Sequence, residues 1–296
     1  MKILIAYDGS AHADTAIADL QWAGLPPDAE AIVLSVVEWP LLAPISWGMV
    51  DTTFPQEWTM RTKAAEASAE AACQRIQTLF PNWNVQLETP TGHPAAMILE
   101  RAAGWPADLV VTGTHGRSPL SRALLGSVSM KLVKQAHCSV RVARMKNHDG
   151  PIRLILGDDG SPEAQIALQE VCRRTWPAGT EARVLSVHEV LVTTNAERIA
   201  ISDRLYDEIN KDEHSRLTLV STQAAEKLRA AGLTVLPIVE EGDPRDALVR
   251  QAENWKADTV FVGARGLGRV ERFLLGSVSS AAVAHAPCSV EIIRRR

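Results

Sequence analysis

Two tandem α/β domains, each a parallel sheet with helices on both faces, are the architecture this sequence predicts. Three observations predict it. The chain has 296 residues, and one domain takes roughly 100–200. About half of the chain is repeated: KILIAYDGS at Lys2 recurs as RLILGDDGS at Arg153, and AIVLSVVE at Ala31 recurs as ARVLSVHE at Ala182. The stretch from Gly92 to Val140 aligns without a gap on Gly242 to Val290, with 21 of 49 positions identical. Finally, short apolar runs alternate with helical patterns in both halves, which is the signature of a parallel sheet with right-handed crossovers. The polar stretch KNHDGP, closing on Gly150-Pro151, separates the halves. It gives domains of 1–146 and 151–296.

The first strand is the run Ile3-Leu4-Ile5-Ala6, which has no polar alternation and therefore reads as buried on both faces. Asp8-Gly9-Ser10 turns the chain, and Ser10 N-caps a helix expected over 11–23, before Pro26-Pro27. A second strand is expected over 31–37. Residues 38–58, rich in Pro and Trp, form an irregular segment. A long amphipathic helix (61–80) ends at Pro81, and a strand covers 84–88. Pro94 opens a helix to about residue 103. The strand 108–112, the helix 127–136 and the strand 139–143 complete the copy, giving β-α-β-α-β-α-β-α-β. In the second copy the strands are expected at 153–156, 182–187, 234–239, 259–262 and 289–293. A helical stretch over 196–229 replaces part of the irregular segment.

Composition excludes several classes. A net charge of −4 leaves no broad basic field for nucleic acid. The most apolar window, 31–50, is broken by Glu38, Pro40 and Pro44, so no span for a membrane is read there. The N-terminus lacks the pattern of a signal peptide. The cytoplasm is the expected location. The four cysteines (Cys73, Cys138, Cys172, Cys288) form no C-x-x-C pair and read as reduced thiols, with Cys138 and Cys288 buried.

The informative motif is Gly113-Thr114-His115-Gly116, nine residues, then Gly126-Ser127. It recurs as Gly263-Ala264-Arg265-Gly266, nine residues, then Gly276-Ser277. The first glycines follow a buried strand, where backbone N–H groups can approach a ligand with no Cβ in the way. Gly126-Ser127 and Gly276-Ser277 each open a helix whose free N–H groups and dipole attract an anion. Charge-assisted contacts are worth about 1.5–3 kcal/mol each. Four or five, less the entropy of binding, suffice for about micromolar affinity, near −8 kcal/mol. Turn and cap chemistry alone accounts for the same glycines locally, and a duplicated scaffold keeps its turns too.

The spaced glycines, the D-G-S turn after the first strand and the closing C-S-V strand resemble the universal stress protein family, once per half. The whole chain is similar to the tandem members of that family. The resemblance implies a Rossmann-like fold with a five-stranded parallel sheet, and ATP binding in a regulatory, stress-response role. By position, Asp8 and Asp159 would face the ribose or Mg²⁺ carried on the phosphates; an Asx turn is the plain alternative for both. Gly113, Gly116, Gly126 and Ser127 would hold phosphates in the first copy, as would Gly263, Gly266, Gly276 and Ser277 in the second. Adenine would pack near Val37 and Val187. His115 and Arg117 supply the nearby cations of the first loop, and Arg265 that of the second. Arg265 is a permanent forked donor, so the second copy is expected to hold phosphate more tightly, unless Asp158 beside Asp159 offsets the gain.

No P-loop lysine motif and no general base stand near the glycines. A slow ATPase and a nucleotide-free interaction module are the alternatives. The turn D-G-S lacks the G-x-G-x-x-G of a NAD-linked oxidoreductase. The resemblance also implies that the last strands of the two copies pair in an internal pseudo-dimer, with further association into a homodimer open. His93, replaced by Asp243 in the second copy, reads as a cap or surface residue. His188 stands at a strand end, where touching a base and being an ordinary edge residue fit equally.

Overall fold

The computed structural model describes residues 1–38, 54–115, 125–144, 150–189, 203–266 and 275–295, without the side chains of 54–57 and 203–207. The chain divides into two compact units that follow the two copies, except that Trp22–Leu25 is grouped with the second.

In the first unit, β1 (Lys2–Ala6), β2 (Glu30–Leu34), β3 (Asn84–Glu88), β4 (Leu109–Gly113) and β5 (Ser139–Ala143) are all parallel, in the order β3-β2-β1-β4-β5. The register sets Ile3, Leu4 and Ile5 of β1 against Leu109, Val110 and Val111 of β4. These residues are fully buried, as their continuous apolar runs require. The helices are α1 (Ala11–Asp19), α2 (Phe54–Leu79), α3 (Pro94–Gly104) and α4 (Ser127–Gln135). Among them α1 packs on α2, and α3 on α4, which covers the sheet with two helices on each face. The buried stripe of α2 runs Ala65, Ala69, Ala72, Ile76, a spacing that keeps one face turned to the sheet.

The second unit repeats this order with β6 (Arg153–Gly157), β7 (Glu181–His188), β8 (Thr234–Glu241), β9 (Thr259–Gly263) and β10 (Ser289–Ile293), arranged β8-β7-β6-β9-β10. Its helices are α5 (Pro162–Arg173), α6 (Asp203–Ala230), α7 (Pro244–Asn254) and α8 (Ser277–His285). The α6 stripe is Leu217, Ser221, Ala224, Leu228, with the same spacing as in α2.

The expected elements are present, with shifted ends. α2 begins at Phe54, inside the stretch read as irregular, because Pro55 is tolerated in a first turn. α1 ends at Asp19 and hands over to a 3-10 turn, Leu20–Trp22. The expected helical stretch from 196 begins outside the described residues, and α6 occupies 203 onward. β7 and β8 are longer than their first-copy equivalents, pairing out to His188 and Glu241. In the first copy the same edge closes with a single bridge, Val37 to Thr91. Cys138 and Cys288 are buried just ahead of β5 and β10, and none of the four cysteines is in a disulfide. No helix among the described residues is long and apolar enough to cross a membrane.

Candidate functional site

Strand order reverses between β1 and β4, and between β6 and β9. In such sheets the crevice at the carboxyl ends of those strands receives ligands, and both glycine motifs begin there. Three features build the crevice in the first copy. After β1, Asp8 Oδ1 accepts the Ser10 N–H at 3.0 Å, and Gly9 takes φ 74°, which a side chain would disfavour. Ser10 Oγ then caps α1 by accepting the Ala13 N–H at 3.2 Å. After β4, Gly126 N–H donates to the Thr114 carbonyl at 2.7 Å, and Ser129 Oγ donates to the Gly113 carbonyl at 2.7 Å. These bonds draw the start of α4 up to the end of β4. The N-cap of α4 is Gly126, in extended conformation and with no side-chain cap. The first-turn N–H groups of α4 therefore open on the crevice with no capping side chain over them, in contrast to α1.

The second copy repeats each feature. Asp159 Oδ1 accepts the Ser161 N–H at 2.9 Å, and Ser161 Oγ accepts the Ala164 N–H at 3.2 Å. Gly276 N–H donates to the Ala264 carbonyl at 2.9 Å, Ser279 Oγ donates to the Gly263 carbonyl at 2.6 Å, and Gly276 leaves α8 without a side-chain cap.

Each crevice is a cavity, of about 550 Å³ in the first copy and about 400 Å³ in the second. Both fall in the range of small-molecule sites, ~300–1,000 Å³. Asp8, Val37, Gly113, His115, Gly126 and Ser127 all line the first. Asp159, Val187, Gly263, Arg265, Gly266, Gly276 and Ser277 all line the second. Gly116 and Arg117 lie outside the described residues.

The reason for the glycines differs in part from the sequence-based one. A Cβ on Gly113 would sit 2.5 Å from the His12 carbonyl oxygen, and one on Gly263 would sit 2.8 Å from Glu163 Cβ. These two glycines are required by the close approach of α1 and α5, whatever lies in the cavity. A Cβ on Gly266 would collide with the Asp159 carboxylate. Asp8 and Asp159 do form Asx turns, and they line the cavities as well.

The cations also differ. His115 lies 5.2 Å, centroid to centroid, from His12. Burial, followed by the neighbouring His12 and Arg144, lowers its pKa below the ordinary imidazole value. Its buried Nε2 has no hydrogen-bond partner among the described residues. Arg265 instead approaches Glu163 at 3.5 Å. Behind the first turn, Tyr7 of the first copy corresponds to Asp158 of the second. Tyr7 Oη donates to Asp14 at 3.0 Å. Asp158 accepts the Gly160 N–H at 2.9 Å, and burial raises its pKa.

The long helices add cavity residues that sequence reasoning missed: Arg61 on α2, and Glu213 and Arg216 on α6. Arg216 pairs with Glu213 at 2.7 Å and donates to the Asp159 carbonyl at 3.3 Å. A signal was present, since Arg61 lies one turn before Ala65, and Glu213 one turn before Leu217, on the buried stripes. His188 is absent from the lining of the second cavity, although its neighbours Val187 and Glu189 are present. His93 caps α3 without a side-chain bond, whereas Asp243 caps α7 by accepting the Arg245 N–H at 2.8 Å. Trp105 and Trp255 pack under cations, Lys2 and Arg101 for one and Arg183 for the other.

The chain thus holds two doubly wound α/β units, each with a glycine at the N-cap of the helix that starts at its switch point. The model of the universal stress protein family matches residues 1–144 and again 153–294. The chain belongs to that family. A universal stress protein of Mycobacterium bovis is 26% identical over 307 residues, covering 99% of this chain and 97% of the relative. One from Thermus aquaticus is 34% identical over 143 residues, covering 48% of this chain and 97% of its own length. Among solved structures, a universal stress protein from Archaeoglobus fulgidus has the same fold, with a TM-score of 0.66 at 22% identity, covering 100% of this chain and 98% of that one.

Proposed function

We propose that this chain is an ATP-binding regulatory protein, holding one nucleotide in each copy and acting through occupancy, with hydrolysis at most slow. The observation that carries the reading is the uncapped N-terminus of α4 and of α8, each opening on a cavity that also holds an aspartate and an apolar strand end. The phosphates lie against Gly126-Ser127 and Gly276-Ser277, where backbone N–H groups and the helix dipole favour negative charge. The base packs by Val37 and Val187. Asp8 and Asp159 face the ribose or the Mg²⁺ that the phosphates carry, Mg²⁺ being bound by few carboxylates and by phosphate oxygens. Arg61 supplies the positive side of the first cavity, joined by His115 once it is protonated, and Arg216 and Arg265 supply that of the second.

The test is to denature the purified protein, identify the released nucleotide by chromatography, and measure its ratio to chain. ATP near two per chain supports the reading. Mostly ADP moves it toward hydrolysis. No nucleotide, together with no heat stabilisation by added Mg-ATP, overturns it and leaves an interaction module.

A further inference from the structure

We propose that the second copy carries a site for a divalent transition-metal ion of the zinc type, built by His188, His214 and Glu241, which border the nucleotide cavity without lining it. His188 closes β7 and Glu241 closes β8, where the extended pairing of the two strands makes them direct neighbours. His214 projects from α6, its ring centroid 6.3 Å from that of His188. Each of the three offers a ligand atom, and these atoms all lie within 4.8 Å of one another. Bonds of about 2.0–2.2 Å to a shared ion require only modest closure, and His214 and Glu241 are exposed.

A second observation points the same way. His188 is only 3% exposed, and its Nδ1 is buried with no hydrogen-bond partner among the described residues. Buried polar atoms are almost always partnered, and an exception calls for a ligand or another explanation. Two imidazoles and a carboxylate form the ligand set of open zinc sites, which leave a fourth position for water or a substrate oxygen. The scaffold does not demand these residues. The strand-end pair is Val37 and Thr91 in the first copy, which carry no such ligands. Superposing the buried stripes of α2 and α6 sets Thr62 where His214 stands.

The full chain, stripped by chelator and held free of nucleotide, should take up one Zn²⁺ per chain in competition with a chromophoric chelator. Co²⁺ should give the visible absorption of a low-coordinate nitrogen and oxygen site. His214→Ala and Glu241→Gln alter exposed side chains and should each weaken binding by roughly tenfold or more, since even supporting residues of such sites cost ~10–100-fold. His285→Ala, an exposed histidine elsewhere, should leave it unchanged. Absence of stoichiometric uptake, or affinity in both His214→Ala and Glu241→Gln unchanged from that of the unsubstituted chain, overturns the site. Because nucleotide is excluded throughout, the result is independent of ATP binding.

Discussion

The two copies share a backbone plan and differ in their charges. The first cavity is larger and bordered by Tyr7, His115 and Arg61; the second is smaller and bordered by Asp158, Asp159, the Glu213–Arg216 pair and Arg265. Deep in each unit the difference becomes an exchange. Arg141, fully buried in β5, pairs with Asp19 of α1 at 2.5 Å. At the matching position of β10 stands Glu291, also fully buried, which accepts from both terminal guanidinium nitrogens of Arg174. Duplication preserved the presence of a buried ion pair and reversed its sign. What a buried charge requires is a partner, and either orientation supplies one.

The largest effect is expected from breaking those pairs. Arg141→Met removes the guanidinium that pairs with Asp19, and Glu291→Gln weakens the hold on Arg174. The first should cost about 3–5 kcal/mol of unfolding free energy in its own unit, read as a shifted urea midpoint. A small effect at Glu291 beside a large one at Arg141 would show that the reversed pair is not equivalent.

A carboxylate placed at a helix start repels phosphate, by several kcal/mol when like charges meet. Gly126→Asp and Gly276→Asp should therefore each leave one nucleotide per chain. The site surviving in Gly126→Asp, with Arg265, should bind Mg-ATP about tenfold more tightly than the one surviving in Gly276→Asp, a difference of ~1.4 kcal/mol. Equal affinities would mean that the pairing of Arg265 with Glu163, and the surrounding carboxylates, cancel its advantage.

The same two variants expose a difference in pH response. His115 is held below its ordinary pKa, so it is neutral near pH 7 and gains its proton only as the pH falls below the ordinary imidazole value. Affinity at the first site should rise on acidification relative to the second, where arginine stays charged. Parallel profiles, followed by nucleotide fluorescence between pH 7.5 and about 5.5, would remove His115 from the site.

The smallest effect concerns Asp158. Burial raises its pKa in the folded state, so the unfolded chain loses this proton first. Stability of the second unit should fall as the pH rises from the ordinary carboxylate range through the raised folded value. Asp158→Asn keeps an acceptor for the Gly160 N–H and should flatten that slope, raising the melting temperature at neutral pH. Tyr7, a phenol pushed above its ordinary range, stays neutral at pH 7 and contributes no such slope.

The fold was legible because its signals are local. Continuous apolar runs such as Ile3-Leu4-Ile5 mark strands buried on both faces, and Ser10 and Ser161 mark helix starts that their Oγ atoms do cap. The repeat confirmed each reading twice. The glycine motifs pointed to the cavities for the same reason, since a glycine after a strand and a glycine before a helix are short-range features. Less legible was why Gly113 and Gly263 are glycines at all. The atoms that exclude a Cβ belong to His12 and Glu163, on other elements about a hundred residues away in the chain.

The sequence by itself determined the duplication, the strand and helix order, and the crevice toward which the glycines converge. These follow from periodicity, capping and turn chemistry, which act over a few residues. Only the tertiary structure decided which distant side chains share a space: Arg216 with the Asp159 carbonyl, Arg141 with Asp19, and His188 with His214 and Glu241. Such meetings depend on how far two strands run and which face a helix turns inward, and no local pattern encodes the distance between residues that packing brings together.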